Sequence, residues 1–210
     1  LLVADEVGRG DRRQMHNGIR AAQRLDGLPI IGQVNAQERL DPRCAMCAWG
    51  QALVLGPNIN LPMDPMLAAQ ATELATRAVA LSANARPADR ALIEALQLRY
   101  TNPAPHDRAT LDAAYAEAMG KVVARFPGDD DAATLFAEAL MDLTPWAYWT
   151  AAGQQTTHPP RILAALERVL ARNPRHIGAM HYYIHATEAS PDPGRAEPYA
   201  DALAALAPGA

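Results

Sequence analysis

Prolines punctuate this chain at nearly even steps, and four of five close a segment rich in Ala, Leu and Arg at helical spacing. They are Pro42 (RLDPR), Pro87 (NARPAD), Pro127 (ARFPGD), Pro174 (ARNPRH) and Pro208 (LAPGA), separated by 45, 40, 47 and 34 residues. A proline has no N–H to give and its ring clashes with the preceding turn, so a helix stops there. A recurring unit of this length predicts stacked helix pairs. Such arrays use their surfaces for binding far more than for chemistry, so the pattern bears on function too.

Each of the first four prolines is followed by one helical pattern, a loop, and a second helical pattern running into the next proline. The first unit has residues 44–55, the loop GPNINLPM, and a helix opening at Asp64–Pro65, an N-cap acceptor followed by a residue that needs no donor. The second has residues 89–100, the loop TNPAPH and a helix capped by Asp107. The third has residues 131–143, the loop TPWAYWTAAGQQTTHPP and a stripe of Ile162, Leu163, Leu166, Val169 and Leu170. The fourth has residues 176–189, the turn SPDPG, and residues 195–206 with Pro198 early enough to be tolerated. No segment alternates apolar and polar residues for long, so no strand is predicted. The fold class is all-α, about four antiparallel helix pairs over residues 41–210. Residues 1–40 form a poorly patterned arm. Met15, Ile19 and Ala22 could share a helix, but Gly27, Pro29 and Gly32 break the pattern beyond it.

Helix pairs ending in proline, with small residues where helices cross and Trp49 well placed in the first unit, resemble the tetratricopeptide repeat family. The resemblance implies an α-solenoid with a right-handed superhelix and a groove for a protein or peptide. The stretches CAMCAWGQALVLGPNIN, RFPGDDDAATLFAEALMDLTPW and HYYIHATEAS are similar to an uncharacterised bacterial subgroup of that family. Members of the subgroup generally run on through further repeats and another His-containing segment, which implies that this chain corresponds to the first part of a longer protein.

Composition and motifs exclude several functions. The net charge is −4 and Lys121 is the only lysine, which leaves no electrostatic footprint for nucleic acid. No apolar run is long enough to span a membrane, and charged residues interrupt residues 1–25, so no secretory signal is read there. Cytoplasmic residence is expected. Neither Ser82 nor Ser190 sits in a nucleophile elbow, no P-loop precedes Lys121, and no G-x-G-x-x-G occurs.

The best chemical constellation is His181, His185 and Glu188 in HYYIHATE. Steps of four and three residues put them on one helix face, beside an apolar stripe of Ile177, Met180, Ile184 and Thr187. Two imidazoles and a carboxylate are ligand types for Zn²⁺ or Fe²⁺. Hydrogen bonding, with Glu188 orienting His185, explains the same residues without metal, and no cofactor is expected. Cys44 and Cys47 form a C-x-x-C, but two cysteines are too few for a structural zinc site, so they are expected as inert residues of a helix seam. Asn58 and Asn60 can bind a ligand or stabilise their turn, and the turn is expected. Trp146, Tyr148 and Trp149 can anchor a partner or be buried by a loop folded back on the array. Both remain open. The primary expectation is a non-enzymatic scaffold that binds a protein or peptide. A metal-dependent enzyme or metal-binding protein built on the His/His/Glu face is the alternative.

Overall fold

A computed structural model describes residues 41–207 of the chain. Eight α-helices succeed one another there: α1 (Ala45–Val54), α2 (Ala68–Leu81), α3 (Pro87–Gln97), α4 (Ala109–Arg125), α5 (Asp130–Met141), α6 (Pro159–Arg172), α7 (Ile177–Thr187) and α8 (Glu197–Leu206). Short 3₁₀ turns precede α2 and α8, and another comes directly after α2. Among the described residues there is no strand beyond two isolated bridges, Asn58–Leu61 and Trp149–Gln155. The all-α expectation therefore stands for these residues. The arm at residues 1–40, with its Met15, Ile19 and Ala22 helix, lies outside them, as does Pro208.

The helix starts arise from local chemistry. Asp64 accepts from the Met66 N–H at 2.9 Å, Asp107 from Ala109 at 2.9 Å and Asp129 from Ala132 at 3.0 Å. Each oxygen meets a donor that a first turn leaves free. Pro87 differs from the expectation. It opens α3 at its first position, where its missing N–H and fixed φ suit a helix start, and the break before it falls at Ala85 and Arg86. Arg86 grips Asp89 in that first turn through two bonds of 2.7 Å.

Each helix packs on its sequence neighbours, and α1 also meets α3 while α5 meets α7. The first helix of a pair is thus flanked on several sides. In α5 every residue from Ala132 to Met141 is buried except Glu138. In α7 the buried face is broader than the narrow stripe expected: Ala179, Met180, Tyr182, Tyr183, Ala186 and Thr187 are buried, while Ile177 and Ile184 are only partly so. Ile184 shares the more open side with His181 and His185.

Long-range side-chain bonds recur at one sequence distance. Trp49 Nε1 donates to the Leu92 carbonyl 43 residues on, at 3.2 Å. Arg99 donates to Pro57 O at 3.0 Å, 42 residues back. Arg172 donates to Asp130 at 3.0 Å, 42 residues back, and His176 Nε2 lies 3.1 Å from Asp131 Oδ1 at a separation of 45. These separations fall within the proline steps of the sequence; the Trp49, Arg99 and His176 bonds join corresponding parts of successive helix pairs, while Arg172–Asp130 ties the end of α6 to the start of α5 within one pair. His176 also caps α7, its Nδ1 accepting from Ala179 at 3.1 Å. That bond leaves Nε2 as the donor to Asp131.

Candidate functional site

The α1–α2, α3–α4 and α5–α6 loops meet around one cleft of about 800 Å³. Asn58, Leu61 and Met63 line it from the first loop, His106 and Arg108 from the second, and Trp146 from the third. Among the described residues four large hydrophobic side chains stay well exposed, and two of them, Leu61 and Trp146, are on this lining. Trp146 also holds a left-handed backbone, φ 63°, a conformation costly for any residue but glycine.

Beneath the rim lies a buried polar network that the sequence did not advertise. One turn of α5 separates Glu138 from Asp142, which puts both carboxyls on one side of the helix. The Asp142 side chain is 2% exposed and its Oδ2 accepts from Arg99 Nη2 at 2.5 Å. The Arg99 guanidinium also lies 4.6 Å from the centre of the Tyr115 ring. Arg108 donates to Asp112 and to the Arg99 carbonyl, each at 2.9 Å. Tyr182 of α7 donates to Glu138. The network thus ties α3, α4, α5 and α7 together.

Its electrostatics are dominated by burial. Desolvation pushes the Asp142 carboxyl up to about 8, against the pull of Arg99, with Glu138 adding to the rise. Glu138 is raised for the same reason and opposed by Arg99 and Tyr182. Burial works against the Arg99 charge, but Asp142, helped by Tyr100, Tyr115 and Glu138, outweighs it, and the guanidinium stays charged. Asp142 Oδ1, which has no hydrogen-bond partner, belongs to a residue lining the cleft. A buried polar atom without a partner costs about 1–3 kcal/mol, so its presence beside a cleft is informative.

The residues singled out in the sequence separate into two groups. Asn58 and Asn60 both line the cleft, and Asn58 Oδ1 accepts from Asn60 and Leu61 at 2.9 and 3.0 Å, closing the turn that presents Leu61. Trp146 lines the cleft, whereas the rest of its loop folds back. Tyr148 is buried, and Trp149 Nε1 donates to the Ala186 carbonyl at 2.8 Å.

His181 and His185 lie edge to face with ring centres 4.7 Å apart, and His185 Nδ1 is 3.3 Å from Glu188 Oε1. The Trp146 ring meets His185 at 5.2 Å, which joins this face to the cleft rim. Burial, with a smaller push from His185, lowers His181 to about 4 and keeps it neutral. Among the described residues no set of three or more His, Cys, Asp or Glu side chains is gathered as a metal centre.

Cys44 and Cys47 depart from the expectation of two inert seam thiols. They are joined in a disulfide with Cα atoms 5.2 Å apart. Cys44 is the N-cap of α1 and its Sγ accepts from the Cys47 N–H at 3.1 Å, so the first turn itself brings the sulfurs together. The pair packs with Val54, apart from the main core. A second hollow, about 580 Å³, lies over Phe136 and Leu140 between α4 and α6. None of the buried unpartnered atoms among the described residues belongs to its lining.

The chain matches no protein-family model, no curated protein and no solved structure.

The acids of α5 were missed because the stretch LFAEALMDL reads as an apolar face with two solvated charges. The signal was present: Glu138 and Asp142 sit four apart in residues 135–143, a stretch otherwise apolar on every side, and such a stretch of helix is buried.

No described helix is long and apolar enough to cross a membrane.

Proposed function

We propose that this chain is a helical-repeat scaffold of the tetratricopeptide kind that binds a segment of a partner protein or a peptide. Its helix pairs stack as an α-solenoid with a right-handed superhelix. Bonds that recur at the length of one unit support the stacking. One observation carries the binding role: the cleft where three successive loops meet has exposed Leu61 and Trp146 on its rim and a buried polar floor. Apolar anchors around a few fixed polar groups are what a recognition site needs, since the former give affinity and the latter register. The binding surface is thus the loop edge of the stack, rather than a groove lined only by the first helix of each pair.

The experiment is selection of a random displayed peptide library on the purified protein, repeated with Leu61→Asp and Trp146→Ala. Enriched peptides should bind the wild type and lose most of their affinity for both variants. Enriched peptides indifferent to both substitutions would place binding elsewhere, and no enrichment would contradict the role.

A further inference from the structure

Building on that reading, we infer that the cleft selects a segment with a basic side chain, a guanidinium or ammonium group, set beside an apolar residue. The basic group takes the floor at Asp142 and the apolar residue takes the rim at Leu61 and Trp146.

The charges of the floor carry this inference. Two cations, Arg99 and Arg108, face three carboxyls, Asp112, Glu138 and Asp142. Both cations are spent. Arg99 holds Asp142 Oδ2 and the Pro57 carbonyl, and Arg108 holds Asp112 and the Arg99 carbonyl. Asp107, on the rim, adds a further carboxylate. These pairings leave Glu138, which accepts from Tyr182, as the carboxyl without a cation of its own, so the set holds one carboxyl in excess, and its acceptor without a partner is Asp142 Oδ1, on the cleft lining.

Buried charges persist when they are paired and hydrogen-bonded, so the cleft is short of one positive donor. Burial and the neighbouring Glu138 both work against the Asp142 charge, which a further cation at the floor would favour. An incoming guanidinium or ammonium supplies the positive charge and a hydrogen-bond donor for Asp142 Oδ1. Arg99 Nε and Arg108 Nε also lack hydrogen bonds, but the carboxyls of the set outnumber its cations, so these atoms do not call for an anion.

The probes are three capped tripeptides, acetyl-Leu-Arg-Leu-amide and its citrulline and glutamate counterparts, measured by calorimetry on the whole chain. Citrulline keeps the shape and loses the charge. The arginine peptide should bind about tenfold or more tighter than the citrulline peptide. In Asp142→Asn, with its fold checked by circular dichroism, that preference should collapse to about onefold while citrulline binding is retained. The comparison between peptides on the wild type needs no variant, so a misfolded Asp142→Asn leaves the test intact. Equal binding of the arginine and citrulline peptides, both lost in Trp146→Ala, would overturn the charge selection and leave the cleft as a peptide site. Preference for the glutamate peptide would also overturn it. No binding of any peptide at about millimolar concentration would overturn both readings.

Discussion

Arg99 and Asp142, 43 residues apart and each 2% exposed in its side chain, form an ion pair of 2.5 Å that ties the end of α3 to the end of α5. Removing one partner leaves the other charge buried. Arg99→Met should therefore destabilise the chain by about 3–5 kcal/mol in urea unfolding. The double variant Arg99→Met/Asp142→Leu should recover much of that loss, because an apolar pair of similar volume leaves no orphaned charge. A single substitution costing under about 1 kcal/mol would show that the pair is solvated in solution.

Gly56 sits where the α1–α2 loop passes over the same network. A Cβ there would lie 2.5 Å from the Tyr100 hydroxyl, 3.2 Å from Arg99 Nη1 and 3.3 Å from the Leu53 carbonyl. Tyr100 is fixed, since its hydroxyl donates to Ala52 O at 2.7 Å. Gly56→Ala should cost about 1–3 kcal/mol by thermal unfolding, as overpacking does. An unchanged melting temperature would mean that the loop moves away freely.

His181 makes the pH dependence testable. Its folded value is lowered to about 4 from 6.5, so between these values the unfolded chain binds more protons than the folded one. Stability from this group is therefore full above about pH 6.5 and falls away as pH drops toward 4, by on the order of 2 kcal/mol. Nuclear magnetic resonance should find the His181 ring neutral at pH 5.5, and His181→Gln should flatten this acid limb. Titration near 6.5 would contradict the burial argument. The purified protein is also expected to hold no stoichiometric divalent metal. Zinc or iron lost from His181→Ala/His185→Ala with helicity intact would favour a metal centre on that face.

Cys44 and Cys47 should react with an alkylating reagent only after reduction, and the disulfide should contribute little to global stability because it closes a very short loop. Cys44→Ala/Cys47→Ala should lower the melting temperature by only a few degrees. Two thiols reactive without reductant would contradict the bond.

The helices were legible where local chemistry decides: the Asp64 and Asp107 starts and the apolar stripe of α6 depend on near neighbours. Pro87 misled because a proline both ends one helix and opens the next, and only the chain path tells which. The Trp146–Trp149 loop was undecidable because its residues divide: Trp149 is used by the Ala186 carbonyl and Trp146 stays at the cleft. Arg99 and Asp142 were invisible as a pair because partners 43 residues apart leave no local spacing to read.

Mapping of amide shift changes by nuclear magnetic resonance, with the arginine tripeptide added to the whole chain, locates the surface that takes the peptide. Binding in the cleft should concentrate the changes at residues 57–63, 104–108 and 142–146, the three loop ends around it. Changes confined to the hollow over Phe136 and Leu140, or no changes at any residue, would contradict it.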